Sequence, residues 1–355
     1  MTVPVEATPL PRLAALFRHY ADVDFPAAGA PLYAEIAAGI AADDELLALA
    51  SHTRPGQPGP NLLFAAVHYL LLSGVEHPLA AYYPDLSPDQ RPPAPPYPPF
   101  RDFCLQHRDA IAALVPSRLV QTNVIERCCA LAPAFAEVYR RGGQRPLALV
   151  EIGCSAALNL LFDRYHYDYG GGLTWGDPAS PVRLASELRG AIAPPPFPDQ
   201  IPVASRTGID LAPVDLADDD AVLWQRALMW PERIERQQRL AAAIPIVRDA
   251  APSLIAADAR DALPAALTAA PAGAALCVFA TYVLYQFARD ARQELLGIMR
   301  AHSHDRDVFF LSMDSEDRAT GDGLLRLTHY ARGESEQALL ARCHPHARWI
   351  AWSAP

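Results

Sequence analysis

The stretch that most restricts what this chain can fold into is 147–162, LALVEIGCSAALNLLF. It opens with an unbroken apolar run of strand length, as expected for a strand buried on both faces of a parallel sheet. An acid, a glycine and small residues follow, then an apolar pattern at helical spacing, so the stretch reads as strand, tight turn and helix. Gly153 permits positive φ, and Ser155, Ala156 and Ala157 let a ligand approach the backbone closely. A helix N-terminus aimed out of such a turn presents unpaired N–H groups and the positive end of the helix dipole, a site for a carboxylate or phosphate.

The rest of the chain arranges itself around that turn. Residues 10–82 carry apolar residues at helical spacing, and Asn61–Leu72 reads as a buried helix with His68 as a core histidine. Residues 84–99 hold eight prolines in sixteen positions and predict an extended, polyproline-like connection. Helical periodicity resumes over Phe100–Arg141 and contains a polar patch, where Gln121, Asn123 and Arg127 are candidates for ligand contact. After the turn, Tyr165, Tyr167 and Tyr169 alternate strictly before Gly170-Gly171-Gly172, predicting a strand with the tyrosines on one face. Pro181–Arg189 can pair back on it, making a hairpin-like insert over about 164–202.

Further strands are predicted at Val203–Asp210, Leu254–Asp258, Ala275–Phe279 and Val308–Met313. A helix interrupted near Pro231 is predicted over Asp218–Val247, with Trp224 and Trp230 as packing groups, and another at Arg289–Arg300. Leu324–Tyr330 and Ala347–Trp352 read as antiparallel strands closing a sheet edge. The alternation of strand and helix from residue 147 onward implies an α/β fold, a doubly wound Rossmann-like sheet over 141–355 behind a helical N-terminal cap over 1–140.

Composition narrows the chemistry. All thirty basic residues are arginine, which removes the Walker A lysine, the protein-kinase lysine, Schiff-base cofactors and SxxK hydrolases together. A net charge of −10 disfavours nucleic acid and anionic membranes as partners and leaves a small-molecule substrate as the expectation. No apolar run approaches membrane-spanning length, and Met1–Leu10 lacks the pattern of a signal peptide. Six cysteines without a CxxC pair read as reduced, buried thiols of a cytoplasmic protein.

Ligands of open α/β sheets bind beyond the carboxyl ends of the strands. Three predicted strands end usefully there: Glu151-x-Gly153, Asp210 and Asp258. An acid after the second strand can accept both ribose hydroxyls, and a side chain after the third can meet an adenine edge. The dinucleotide fingerprint wants GxGxxG with an acid about twenty residues on. Here Ser155 and Ala157 stand where glycines are expected, and Asp210 lies 57 residues beyond Gly153. A diphosphate is therefore disfavoured, and an adenosine attached to an amino acid fits better.

These residues, with WGDPASPV, GIDLAPVDL, LMWPE, HPHARW, VQTN and NLLFAAVHYLLL, give the chain its resemblance to known proteins. It resembles the class I S-adenosylmethionine-dependent methyltransferases, and more specifically a bacterial domain-of-unknown-function family, DUF2332. The resemblance implies S-adenosylmethionine as cofactor, with Glu151, Gly153, Ser155 and Ala157 along its methionine part and Asn159 also among the cofactor-binding residues. It further implies Asp210 at the ribose, Asp258 at the adenine and Thr281 alongside. Tyr282, just past the fourth strand, is in the place where methyltransferases meet the acceptor; Tyr165 and His166 are further catalytic candidates.

Two other classes stay open. A non-catalytic sensor or scaffold keeping the nucleotide fold is one. The other is a serine hydrolase, in which GCSAA is a degraded GxSxG elbow with Ser155 as nucleophile and Asp258 followed by His329 or His344 as partners. The histidines of His302-x-His304 and Cys343-His344-x-His346 read as strand-edge or loop residues, and no metal site is expected.

Overall fold

The computed structural model describes residues 8–88, 91–315 and 321–353. The chain divides into two units, Met1–Thr122 with Ala217–Leu240, and Asn123–Leu216 with Ala241–Pro355. Neither boundary falls at residue 140. The helix Cys128–Arg141 belongs to the second unit because its buried face carries the apolar residues that cover the sheet, including Phe135.

The first unit is helical among its described residues. Its helices start where the sequence supplies caps: Asp43 accepts from the N–H groups of Glu45 and Leu46 at the head of Asp44–Ala50, and Asp218 does the same for Asp219–Ala227. Prolines occupy the first turns of Pro31–Ile40, Gly59–Leu72 and Tyr97–Gln106, where a missing N–H is harmless. The core is aromatic. Phe25 meets Phe64 edge-on at 5.5 Å, and Tyr33 stacks on Phe64 at 4.1 Å. Trp224 packs within the same core, its indole N–H donating to the Leu119 carbonyl at 2.9 Å.

The second unit contains twelve strands among its described residues. They are β1 (Leu147–Ile152), β2 (His166–Asp168), β3 (Thr174–Gly176), β4 (Arg183–Ala185), β5 (Glu187–Arg189) and β6 (Val203–Asp210). After these come β7 (Ser253–Ala256), β8 (Ala275–Thr281), β9 (Val308–Ser315), β10 (Gly323–Ala331), β11 (Glu334–Cys343) and β12 (Trp349–Trp352). Nine form one sheet in the order β5-β12-β11-β10-β9-β8-β1-β6-β7, and the other three form a small sheet, β3-β2-β4. From β7 to β9 every pairing is parallel; β9 to β12 is an antiparallel meander, and β5 joins β12 in parallel.

The apolar run predicted to be central is central: β1 lies between β6 and β8, and all six of its residues are buried. Its alternating side chains serve two faces. Ala148, Val150 and Ile152 pack with the helices Ala259–Ala269 and Arg289–His302, while Phe279 of β8, opposite Glu151, turns to Phe135 at 5.2 Å. Helices therefore cover both sides, as an α/β unit requires.

Several expectations change. No α-helix follows the β1 turn: Leu158–Arg164 is a run of 3-10 turns, with Leu161 outside helical geometry. Left-handed Ser155 and Ala157 and the three tyrosines after Arg164 pull that segment into the wall of the insert instead of a free helix. The insert is not a simple hairpin, for β4 pairs parallel to β2 and β5 leaves to become the edge of the main sheet. The antiparallel strand β11 was not anticipated, because its first four residues are polar and exposed. Of the proline-rich stretch, residues 89 and 90 lie outside the described residues, and the helix Tyr97–Gln106 absorbs its last prolines into a first turn. Residues 1–7 of the amino-terminal stretch also lie outside them.

Candidate functional site

The carboxyl end of β1 gathers most of the residues expected there. Glu151 ends the strand on the face turned to the helix Cys128–Arg141 and is 1% exposed. One carboxylate oxygen accepts from Asn159 Nδ2 at 3.1 Å, and the other is buried with no partner. Asn159 in turn takes the Cys128 thiol on its Oδ1 at 3.4 Å. Burial, reinforced by the charge of Asp210, pushes the Glu151 carboxyl up to about 8, although the Asn159 hydrogen bond and Arg127 act the other way.

The turn after β1 is built from left-handed residues. Gly153 (φ +72°), Ser155 (φ +47°) and Ala157 (φ +58°) all lie there, and only the first is a residue that adopts it freely. Each is held by hydrogen bonds. The Gly153 N–H donates to the Ile209 carbonyl at 2.8 Å and the Ala157 N–H to that of Cys154 at 2.7 Å. The Ser155 N–H donates to Asp210 Oδ2 at 2.9 Å, and the Val214 N–H donates back to the Ser155 carbonyl at 2.9 Å. Non-glycine residues kept in strained backbone by surrounding contacts are a mark of functional turns. The Ser155 hydroxyl is buried without a partner.

Of the polar patch before the strand, Asn123 reaches this turn and Arg127 reaches the end of β8. Asn123 Nδ2 donates to the Cys154 carbonyl at 3.0 Å, while its Oδ1 is buried and unpartnered. Arg127 donates through Nε to the Pro345 carbonyl at 3.2 Å and lies over the Tyr282 ring at 4.4 Å, with Thr281 Oγ1 3.5 Å from Nη1. Burial lowers the affinity of the Arg127 guanidinium for its proton. Tyr282 itself is left-handed (φ +53°), anchored by its N–H to the Met313 carbonyl at 2.8 Å. Its hydroxyl is buried with no partner, and burial raises its ionisation well above the ordinary phenol range.

The remaining candidates are elsewhere. Asp258 caps the helix Ala259–Ala269 through the Arg260 N–H at 2.9 Å and grips the Arg260 guanidinium through both oxygens, so its carboxylate is committed within its own turn. Tyr165 is fully buried, its hydroxyl donating to the Leu158 carbonyl at 2.7 Å; it is a packing group, as are Tyr167 and Tyr169, which donate to Phe162 and Cys129 carbonyls. His166 sits on β2 opposite Gly176 and Arg183, in the small sheet. Gln121 belongs to the helical unit. The hydrolase arrangement is not assembled. Ser155 Oγ has no base, and His329 instead bonds Asp307 at 3.1 Å and stacks on Phe309. Among the described residues, no group of three or more His, Cys, Asp or Glu side chains is arranged to hold a metal ion, and no helix is long and apolar enough to cross a membrane.

Two contributors escaped the sequence reading. Val283 covers Gly153, so that a Cβ there would fall 2.6 Å from its Cγ2. Cys128 fixes Asn159 from below. Neither belongs to a spacing pattern; only the crossing of β8 beside β1, and of a helix over both, brings them in.

A family model described as "Uncharacterized protein conserved in bacteria (DUF2332)" matches residues 14–352. No curated protein and no solved structure matches the chain.

Proposed function

The chain belongs to the DUF2332 family, and from that premise and the geometry at β1 we propose that it binds S-adenosylmethionine and transfers its methyl group to a small molecule. The observation that carries the reading is Glu151: a buried carboxyl at the carboxyl end of the central strand, with one oxygen lacking any protein partner. A buried acid so placed is costly unless a cation or donor meets it. The parallel part of the sheet runs β7-β6-β1-β8-β9, and this order supports the same reading, since ligands of such sheets bind where the order reverses, here between β1 and β8.

The residues fit the cofactor in part. Glu151 and the Ser155 hydroxyl would meet the amino-acid portion, and Asp210 would meet the ribose. Asp258 does not fit the adenine role, because Arg260 holds it. The cofactor supplies a methyl group on a sulfonium centre, and displacement needs the acceptor in line with it, so positioning is the main demand on the protein. Arg127 holds the Tyr282 ring, and Tyr282 presents an unpartnered hydroxyl that burial keeps protonated and that can orient an acceptor by hydrogen bonding.

One observation favours a binding module without turnover: Val283 occupies the space over Gly153. Calorimetric titration with S-adenosylmethionine, S-adenosylhomocysteine and NADH tests both readings. The first two bind and NADH does not, and Glu151→Gln weakens S-adenosylmethionine by about tenfold or more. Absence of heat with both adenosyl ligands from folded protein would remove the proposal. Binding without S-adenosylhomocysteine release across an acceptor screen would leave the binding module.

A further inference from the structure

Three half-buried arginines of the sheet unit differ in what meets the outer fork of the guanidinium. Arg206 donates from Nη1 and Nη2 to the two oxygens of Asp163, at 2.8 and 2.7 Å. Arg306 has no acid, but its Nη atoms donate to the carbonyls of Ala270, Pro271 and Ala274 at 2.9, 2.7 and 2.6 Å. Arg127 has neither. Its Nε donates to the Pro345 carbonyl at 3.2 Å, and Nη1 stands 3.5 Å from Thr281 Oγ1. Among the described residues, nothing accepts from Nη2 and no carboxylate forms an ion pair with the group. Of the five N–H groups of a guanidinium, three are therefore left, all on the outer fork.

The place of this fork matters as much as its lack of partners. Thr281 is the last residue of β8, which runs parallel to β1 with Ala280 level with Ile152. The guanidinium thus stands at the carboxyl end of β8, beside the turn that begins at Gly153, where ligands of such sheets bind. It is held there on several sides. The Tyr282 ring lies 4.4 Å from Cζ, on a left-handed residue anchored by its N–H to the Met313 carbonyl. A guanidinium drawn out of water without an acid is unfavourable, and burial already weakens its hold on the proton. Its planar fork matches the two oxygens of a carboxylate.

We propose that Arg127 anchors a carboxylate of the molecule that receives the methyl group, so that the acceptor is a small carboxylic acid held by Nη1 and Nη2. The acceptor's part in this rests on the methyl-transfer reading above; the carboxylate anchor itself does not. Within that reading the amino-acid portion of the cofactor lies with Glu151 and Ser155 on the β1 side, and Arg127 serves the β8 side, where Tyr282 orients the acceptor.

Acetate, with acetamide as its uncharged isostere, probes the anchor by NMR line broadening on addition of the full chain. Acetate broadens and acetamide does not. Arg127→Gln raises the acetate Kd about tenfold, and Arg127→Lys, which keeps the charge without the fork, raises it about threefold. Arg118→Gln, which removes an arginine paired with Asp220 in the helical unit, leaves it unchanged. Acetate that fails to broaden, broadens no more than acetamide, or broadens equally with Arg127→Gln would mean that Arg127 is a solvated charge only. Saturating S-adenosylhomocysteine leaves acetate bound; its displacement would give the fork to the cofactor's own carboxylate and overturn the acceptor assignment. The calorimetric titration keeps the two readings apart. Adenosyl ligands that bind where acetate does not would overturn the anchor alone, and acetate held by Arg127 without adenosyl binding would overturn methyl transfer and keep the carboxylate site.

Discussion

Two glutamates of the sheet unit are almost equally buried and behave oppositely. Glu137, 3% exposed, lies near the end of the helix Cys128–Arg141; Glu151, 1% exposed, lies at the end of β1. Glu137 accepts two hydrogen bonds from Arg140, at 2.9 and 2.7 Å, and one from Arg141 at 2.5 Å. Burial opposes its ionisation, yet the arginines win, and its carboxyl is held below the ordinary range. Glu151 is enclosed more deeply, so it carries the larger desolvation penalty, and it has only a neutral amide in contact, so its carboxyl rises to about 8. Burial alone therefore does not mark a functional acid. What sets Glu151 apart is burial without a charged hydrogen-bond partner at the carboxyl end of the central strand, where the proposed ligand would bind.

The sharpest test of that contrast is stability against pH. Glu151 keeps its proton in the folded state between about 4.5 and 8 while the unfolded chain loses it, so its contribution falls as pH rises through that window. The loss is on the order of 4 kcal/mol, and urea unfolding of Glu151→Gln at several pH values shows the slope removed. An unchanged slope in the variant would break the comparison.

The glycines beside the two acids extend it. Gly153 and Gly143 share the same φ, +72°, but a Cβ on Gly153 meets Val283 at 2.6 Å while one on Gly143 meets nothing within 4 Å. Gly153→Ala adds a packing clash to left-handed strain and costs roughly 3 kcal/mol, whereas Gly143→Ala carries the strain alone and costs about 1 kcal/mol. Denaturant midpoints of the pair measure the difference; equal costs would mean that Val283 gives way.

The smallest effect belongs to the helix. Glu137→Gln costs about 1 kcal/mol at neutral pH, because Arg140 and Arg141 remain partly solvated when their partner loses its charge. The Glu137 contribution is full above the unfolded carboxylate range and is lost as pH falls through its lowered value, the reverse of Glu151. Unfolding of the variant at pH 7 and pH 3 reads this sign.

Much of the sheet was legible because burial on both faces demands unbroken apolar runs. Leu147–Val150, Cys277–Ala280 and Val308–Leu311 have them, and β1, β8 and β9 are adjacent. The edge was less legible. The strand β11 is half-exposed and β5 only three residues long, so neither carries a periodicity strong enough to read. The helix expected after Gly153 failed for a related reason: apolar spacing in Leu158–Phe162 records burial, which 3-10 turns achieve as well as an α-helix.

The sequence by itself determined the neighbours that lie three or four residues apart and the runs that must be covered on both faces. The ion pairs of Glu137 with Arg140 and Arg141 follow from helical spacing alone. The tertiary structure decided everything about Glu151 beyond its position. Asn159 reaches it from a turn, Arg127 lies over Tyr282 from the far side of the sheet sequence, and Asp210 arrives on a strand that follows a long insert. Helix geometry fixes local pairs in advance, whereas a parallel crossover sheet brings together groups whose separation along the chain carries no trace of their distance in space.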